Sequence, residues 1–495
     1  MRASRVPAQR IARCNEQPVR RDGAWVLYWM IAQRRRRANF ALQRAVEWCR
    51  ELELPLCVLE ALRCDYRWAS DRLHRFVLDG MRDNATAFAD VATYHPYVEP
   101  AVGAGKGLLA ALAARAAVVV TDEFPCFFLP RMVAAAARRL PVLLEQVDGN
   151  GLLPLRAADR PFLRAVDFRR FLQRELAAHL RAFPAVDPLR AALPAPVPLP
   201  RAVLRRWPRA SRALLQGAPA ALRALPVDHD VAPVATPGGA VAAAARLRAF
   251  VRRRLGHYGS RSDPDADAAS GLSPYLHFGH LSAHEVFAAL ARRARWTPAR
   301  LRPGASGKRG WFGMDAPGEA FLDQLVTWRE LGYQAHHWAA HRGAGRQGAD
   351  PADYGSLPEW ARRTLAAHAH DPREHVYRLP AFARAATHDA LWNAAQRQLL
   401  QQGTIHNYLR MLWGKKVLEW TRHPEEAWAI LVELNNRYAL DGRNPNSYSG
   451  IGWVFGRYDR PWAPQRPVFG AIRFMSSQNT VRKLHLAGWL RQFGG

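Results

Sequence analysis

Cysteine, acidic side chains and long apolar runs are all scarce in this chain of 495 residues. The five cysteines show neither C-x-x-C nor zinc-ligand spacing, so we expect free thiols in a reducing compartment. No run of about 18 apolar residues occurs, and no apolar stretch of signal-peptide type precedes Trp25, which argues against a membrane span and against secretion. H-E-x-x-H is also missing, and we predict no metal site. These absences together favour a cytoplasmic protein.

Positive charge is abundant. Arg and Lys number 71 against 42 Asp and Glu, which gives a formal net charge of +29. An excess of this size exceeds what solubility requires and favours a polyanionic partner such as nucleic acid. Nearly half of the residues are hydrophobic, so the chain can bury large cores, and its length predicts two or three domains.

The first part of the chain has the pattern of a parallel α/β sheet. Apolar runs of strand length alternate with Ala/Arg-rich helical patterns, an alternation typical of a Rossmann-like domain. No G-x-G-x-x-G follows the first run, so an ordinary dinucleotide fold is not indicated. The predicted strands are residues 25–30, 55–59, 117–121 and 141–146, and the predicted helices between them include 39–52 and 131–139.

Composition divides the chain into four parts. We expect residues 1–22 to be a disordered basic leader, residues 23–185 the α/β domain, and residues 186–241 a Pro/Ala/Arg-rich linker. Residues 242–495 show helical periodicity with little strand character, which predicts an all-α domain. The helices predicted there are 243–255, 281–295, 321–338, 391–402, 405–420 and 425–438.

Hydroxyl and glycine residues precede two successive helix starts within residues 258–282. Hydroxyls and unpaired backbone N–H groups at helix N-termini suit a phosphate. Ser273 and Ser282 could equally be ordinary N-caps, and on these residues alone the capping interpretation is the stronger.

Tryptophans concentrate near the C-terminal end, at Trp392, Trp413, Trp420 and Trp453. Trp413 and Trp420 are seven residues apart, which predicts one helix face and a separation of about 10 Å along the axis. By spacing alone these indoles are more typical of core packing than of a redox path.

Several motifs, in order from about residue 24 to 485, resemble the photolyase/cryptochrome family, and most of all its class II cyclobutane pyrimidine dimer photolyases. The motifs are SGLSPYLHFGHLS at 270–282, FLDQLVTWREL at 321–331, HDALWNAAQ at 388–396, IHNYLRMLWGKKVLEW at 405–420 and YDRPW at 458–462. The resemblance implies an α/β domain, a linker and a helical domain that holds FAD. It also implies light-driven DNA repair, in which photoexcited reduced FAD gives an electron to a flipped-out dimer in UV-damaged double-stranded DNA.

The same resemblance assigns roles to individual residues. The FAD phosphates would be bound by Tyr258, Ser270, Leu272 and Ser273, and the flavin would be contacted by Arg410, Asn435 and Asp441. Electrons would reach FAD through Trp392, Trp413 and Trp420. The lesion would meet Gln324, Trp328, Asn407, Met411 and Trp453. An antenna pigment is possible but no motif identifies it, and the resemblance also implies a monomer that acts at the bacterial nucleoid. The alternative for Asn435 is a helix C-cap.

Gln324 departs from the family pattern, which has a carboxylate four residues before the tryptophan that matches Trp328. An amide can donate and accept hydrogen bonds but cannot act as an acid. Repair could therefore be slower or the preferred lesion different, since a glutamine at the matching site occurs in relatives that repair 6-4 photoproducts. Residues 341–350 form a Gly/Arg-rich insertion, another mark of a divergent branch.

Three alternatives remain open at this point: a 6-4 photoproduct photolyase, a cryptochrome-like photoreceptor without repair activity, and a basic DNA-binding helical protein without chemistry. The third does not explain why flavin, relay and lesion motifs occur in order on one chain. A yellow protein that blue light bleaches in the presence of a reductant would separate the first two from the third.

Overall fold

The computed structural model describes residues 4–305, 307–341 and 350–495. Most of the predicted 341–350 insertion lies outside the described residues. Two compact units divide the chain. The first unit comprises residues 1–159, 175–248 and 272–298, and the second comprises residues 160–174, 249–271 and 299–495. Each unit therefore uses chain segments from both sides of the boundaries predicted at 185 and 241, so those boundaries do not coincide with the units.

A six-stranded sheet lies in the first unit, in the order β1-β6-β5-β2-β3-β4. Strands β2 to β6 are parallel, and β1 adds to the edge in the antiparallel direction. The strands are β1 Ile11–Arg13, β2 Trp25–Met30, β3 Leu56–Leu62, β4 Thr93–Val98, β5 Ala116–Glu123 and β6 Leu144–Asp148. The predicted α/β fold class is thus confirmed, with one antiparallel strand that was not predicted.

Residues 4–22 are not the disordered leader that their basic composition indicated. Ile11 pairs with Val147 and Arg13 pairs with Glu145, so this segment extends the sheet. Arg10 is buried, and its guanidinium donates to the carbonyl of Leu152 at 2.7 Å. A buried cation and a strand pairing hold the segment in place, although its sequence carries little apolar signal.

The loop after β2 explains why a glycine-rich fingerprint is missing. Three consecutive backbone N–H groups, those of Ile31, Ala32 and Gln33, donate to the carboxylate of Asp122 at 2.7 to 2.8 Å. Such a cluster of N–H groups would suit a phosphate in a dinucleotide fold. Here a carboxylate of the chain itself fills it, and burial raises the pKa of Asp122 despite those donors.

The remaining regular structure of the described chain is helical. In the first half of the chain they are α1 Phe40–Leu52, α2 Asp71–Ala87, α3 Leu108–Ala113, α4 Leu129–Ala137, α5 Ala165–His179, α6 Arg201–Arg206, α7 Arg212–Leu215, α8 Pro219–Arg223 and α9 Gly239–Ala249. Those that follow are α10 Ser273–His277, α11 Ala283–Arg293, α12 Ala316–Leu322, α13 Arg329–His341, α14 Glu359–Ala367, α15 Leu379–Ala383, α16 Ala390–Gln402, α17 Asn407–Glu419, α18 Pro424–Tyr438, α19 Pro445–Val454, α20 Ser477–Lys483 and α21 Ala487–Phe493.

The described residues of the second unit form helices and no named strand, as predicted for the C-terminal part of the chain. Its hydrophobic core is rich in indoles and includes Trp392, Trp413, Trp420 and Trp428. Within it, α17 and α19 approach closely at Gly414, where a Cβ atom would lie 2.5 Å from a methyl of Val454. Among the residues described, no helix combines the length and apolar content that a membrane span requires.

Candidate active site

Trp392, Trp413 and Trp420, the three candidate relay tryptophans, form one continuous aromatic contact. The rings of Trp392 and Trp413 are stacked, with centroids 6.3 Å apart and planes 7° from parallel. Trp420 meets Trp392 edge to face, also with 6.3 Å between centroids. Trp392 on α16 is therefore the middle member, between Trp413 on α17 and Trp420, the residue that caps the end of α17, and all three are buried. Helical spacing placed Trp413 and Trp420 on one face, and the third indole fills the gap between them.

Neutral acceptors hold two of the indole N–H groups. Trp392 donates to the carbonyl of Trp413 at 2.9 Å, and Trp413 donates to the side-chain oxygen of Gln396 at 3.0 Å. A carbonyl and an amide orient the rings but are weak bases, so neither would remove an indole proton. At the other end, Lys416 lies 5.3 Å from the ring centre of Trp420.

Arg410 and Asp441 form a loose ion pair, with 3.4 Å between a guanidinium nitrogen and a carboxylate oxygen. Asn435 lies near the end of α18, buried, and its amide nitrogen donates to the side-chain oxygen of Asn436 at 3.2 Å. Asn436 in turn donates to the hydroxyl of Tyr448 at 3.1 Å. A guanidinium, a carboxylate and an oriented amide thus lie on neighbouring elements of the second unit.

The C-cap alternative for the Asn435 side chain is not what the structure shows. Helix α18 ends at Tyr438, and Ala439 caps it by donating its backbone N–H to the carbonyl of Asn435. The backbone of Asn435 therefore serves the helix end, while its side chain belongs to the polar network with Asn436.

The candidate phosphate residues lie on short elements. Tyr258 is buried in the second unit, edge to face with Phe250 and Phe321, and burial raises the pKa of Tyr258 to about 12. Its hydroxyl is a neutral donor at physiological pH, as in an ordinary tyrosine. Ser270 also lies in the second unit, whereas Leu272 and Ser273 begin a segment of the first unit.

The two serine caps differ from each other. Ser282 caps α11 in a full capping box, in which its hydroxyl accepts from a helix N–H and Glu285 accepts from the Ser282 N–H. Ser273 does not cap α10, because it is the first residue of that helix, and Leu272 occupies the cap position without a side-chain cap bond. The capping interpretation is therefore confirmed for Ser282 and wrong for Ser273.

Gln324 and Trp328 belong to a π-helical turn, Asp323–Trp328, between α12 and α13. Both side chains are half-buried. The neighbouring Asp323 accepts two hydrogen bonds from the guanidinium of Arg169, at 3.0 and 2.8 Å. The carboxylate nearest to Gln324 in sequence is thus already paired. A π turn within a helix is a frequent mark of a functional site.

Helix α17 carries candidates for all three roles, on different faces. At about 100° per residue, Asn407 and Met411 lie within about 40° of each other, and Arg410 follows about 60° to one side of Asn407. Trp413 and Trp420 lie a further 60° to 80° or so beyond Arg410 in the same direction. The order around the helix is therefore lesion, flavin, relay.

Trp453 on α19 is half-buried between two cations that were not predicted to take part. The ammonium of Lys415 lies 5.1 Å from the centre of its ring, and the guanidinium carbon of Arg473 lies 5.7 Å from it. The same Arg473 also lies over Trp462, at 4.9 Å. One signal could have identified Lys415 from sequence, since it stands four residues after Met411 on α17.

Curated proteins of known name match this chain over nearly its whole length. No family model matches it. The deoxyribodipyrimidine photo-lyase of Methanothermobacter thermautotrophicus is 33% identical over 99% of this chain and 99% of its own. The enzymes of the same name from Oryza sativa subsp. japonica and Potorous tridactylus are 33% and 31% identical, over 95% and 94% of this chain and 87% and 80% of theirs.

Two solved structures share the fold. A bacterial class III photolyase from Agrobacterium tumefaciens superposes with a TM-score of 0.66 at 18% identity, over 95% of this chain and 86% of its own. A Synechocystis cryptochrome does so with a TM-score of 0.60 at 14% identity, over 95% and 88%. At these identities the likeness extends to the fold alone.

Proposed function

The chain belongs to the photolyase/cryptochrome family, and from this premise we propose that it is an FAD-dependent, light-driven enzyme that repairs cyclobutane pyrimidine dimers in DNA. The enzyme class expected from the sequence, deoxyribodipyrimidine photo-lyase, is that of its curated relatives. The observation that carries the proposal is the arrangement on α17, where candidate lesion, flavin and relay residues follow one another around a single helix.

The polar side chains of the second unit fit a flavin. Arg410 offers guanidinium N–H donors to an electron-rich ring edge, and Asp441 accepts from a ring N–H, while the two partly balance each other's charge. Asn435, whose amide is oriented by Asn436, can donate or accept at a ring nitrogen. Bound FAD in its reduced form would supply the electron that light drives into the lesion.

The phosphates of FAD would be held by neutral donors. A tyrosine hydroxyl is protonated at neutral pH, and burial strengthens this preference at Tyr258 by raising its pKa to about 12. Ser270 and Ser273 add hydroxyls, and Leu272 adds its backbone. Neutral hydrogen-bond donors of this kind are common partners of phosphate oxygens.

The three buried tryptophans would carry electrons to oxidised FAD and restore its reduced form. Direct ring contacts join Trp413, Trp392 and Trp420, so an electron vacancy can move outward in short steps. The indole N–H acceptors are neutral, which favours transfer of the electron without the proton.

The lesion would be flipped out of the duplex into a pocket with aromatic walls. Trp328 and Trp453 would replace the stacking that the dimer loses, and Met411 would lie between flavin and lesion. Gln324 would hydrogen-bond the dimer without transferring a proton. The charge of +29 suits the phosphate backbone around the lesion.

Gln324 also favours a second candidate, repair of 6-4 photoproducts. The third candidate function is that of a photoreceptor that does not repair DNA. We further propose that the protein is a cytoplasmic monomer that acts at the bacterial nucleoid. The proposal holds with or without a bound antenna pigment.

Purification in the presence of FAD tests the family chemistry first. We expect a yellow protein that blue light bleaches under a reductant, and that then lowers the number of cyclobutane dimers in UV-irradiated DNA only when illuminated. A colourless protein that takes up no FAD would contradict photolyase and photoreceptor functions alike. A yellow, reducible protein that leaves all lesions intact in the light would favour photoreception.

A further inference from the structure

One lysine is buried directly behind the lesion candidates. Lys415 on α17 has no exposed surface, and its ammonium donates to the backbone carbonyl of Val454. The adjacent residue, Trp453, presents its ring to the same ammonium at 5.1 Å. Among the residues that the structure describes, no carboxylate lies at hydrogen-bond distance from this ammonium. A buried cation of this kind is costly, and it is tolerated only where other groups compensate for the lost water.

The position of Lys415 links two elements of the proposed pocket. Asn407, Met411 and Lys415 follow one another at four-residue intervals, so they share the face of α17 on which the lesion candidates lie. Val454 and Trp453 belong to α19, which approaches α17 closely at Gly414. The ammonium therefore holds the last residue of α19, Val454, by its hydrogen bond, and it orients the indole of Trp453 by its contact with the ring.

We propose that Lys415 is a positioning residue of the lesion pocket, which holds the Trp453 ring in the orientation that receives a flipped pyrimidine dimer. This inference rests on the proposed function. Cation–π attraction is largest for an indole and for a desolvated cation, and both conditions hold for this pair. Arg473 keeps its contact with the same ring, so loss of the Lys415 charge should loosen the ring without removing it.

The pocket should consequently respond to pH. Burial lowers the pKa of Lys415 from 10.5 to about 7, with Asp459 acting against the shift and Arg473 adding to it. Below pH 7 the amine is charged and Trp453 is held. As the pH rises through this pKa the charge is lost, so the preference for dimer-containing DNA should fall.

The test compares the affinity of the FAD-loaded protein for dimer-containing and undamaged oligonucleotides of the same sequence, from pH 6 to 8.5. For the wild type we expect the ratio of the two affinities to fall about threefold to tenfold over this range, the effect expected of one cation–π contact. In Lys415→Met the ratio should be low throughout and independent of pH. Lys416→Met is the matched control, because Lys416 pairs with Glu419 at 2.7 Å and lies against Trp420; its ratio and pH profile should follow the wild type.

The outcomes separate the inference from the proposed function. A wild-type ratio that is above one but constant with pH overturns the inference alone, and this measurement needs no variant to fold. A Lys415→Met profile that matches the wild type overturns it as well. A wild type without preference for dimer-containing DNA at any pH overturns the proposed function, and the inference with it.

Discussion

At the scale of single residues, Gln324 is the candidate lesion residue that differs most in chemistry from the family pattern, which has a carboxylate at this position. The carboxylate nearest in sequence, Asp323, accepts two hydrogen bonds from Arg169 and cannot substitute for an acid at the neighbouring position. The lesion would therefore meet an amide, which stabilises an anionic radical by a hydrogen bond only. A carboxylic acid could also share its proton with that radical.

Gln324→Glu should therefore raise the yield of dimer repair per absorbed photon. The measurement is the number of dimers removed per light dose by the chemically reduced protein, at a pH at which the carboxyl group is partly protonated. Gln401→Glu makes the same substitution at an exposed site at the end of α16 and should leave the yield unchanged. If Gln324→Glu leaves the yield unchanged or lowers it, while Gln401→Glu has the wild-type yield, the proposed role of Gln324 is contradicted.

Trp392→Phe should separate photoreduction from repair. The phenyl ring is much harder to oxidise than indole, so loss of the middle member should abolish most light-driven reduction of oxidised FAD, followed by absorbance in the presence of a reductant. Repair by protein that was reduced chemically beforehand should be retained.

Trp428→Phe is the matched control, because Trp428 is equally part of the core but its ring contacts are with Tyr354 and Phe455. Both variants lose similar buried area, so similar losses of stability are expected. If photoreduction is equally fast in Trp392→Phe and Trp428→Phe, Trp392 is not the relay.

At the scale of elements, the junction of α17 and α19 positions the pocket. Helix α17 carries the lesion, flavin and relay candidates, while α19 carries Trp453. The two helices can approach because Gly414 has no side chain, and a Cβ at this position would lie 2.5 Å from Val454. The side chain of Val454 therefore packs directly against the bare backbone of α17 at Gly414.

Gly414→Ala should therefore destabilise the protein by about 1 to 3 kcal/mol, the usual effect of overpacking. Gly450→Ala on α19 is the control, since no atom lies within 4 Å of its added Cβ. There the higher helix propensity of alanine should stabilise the protein, by up to about 1 kcal/mol. Thermal unfolding of the two variants should shift in opposite directions, and a shift of Gly414→Ala to higher temperature would contradict the close approach.

Elements with strong apolar periodicity could be predicted from the sequence, and those held by tertiary contacts could not. Strand β2 is buried on both faces and is a continuous apolar run, and the first five residues of β5 are apolar and buried as well. Strand β4 was missed because Pro96 interrupts its pattern, although proline is compatible with its place at the sheet edge. Strand β1 has only three residues.

In the candidate site, too, the sequence predicts what depends on helical period and not what depends on packing between elements. The seven-residue spacing predicted one helix face for Trp413 and Trp420, because a helix has a fixed period, and both rings contact Trp392. The intervening Trp392 comes from another helix, and only packing brings it between them. Lys415 was overlooked for a similar reason: a lysine in a helix is usually solvated, and its burial depends on the partner helix α19.

At the scale of the whole molecule, a chain of charge +29 combines an α/β unit with a helical unit, and the helical unit holds most of the candidate site. Relatives named deoxyribodipyrimidine photo-lyase match nearly the full length, so both units belong to the shared architecture. The charge provides affinity for any DNA, whereas the pocket must provide the preference for a lesion.

The central claim is that light and reduced FAD let this protein split cyclobutane dimers. The most direct measurement counts cyclobutane dimers and 6-4 photoproducts in the same UV-irradiated DNA, before and after blue light, with FAD-loaded protein that was reduced chemically and with a parallel sample in the dark. We predict loss of cyclobutane dimers in the light, no loss in the dark and no loss of 6-4 photoproducts. An unchanged number of cyclobutane dimers in the illuminated sample, with the flavin bound and reduced, would contradict the account.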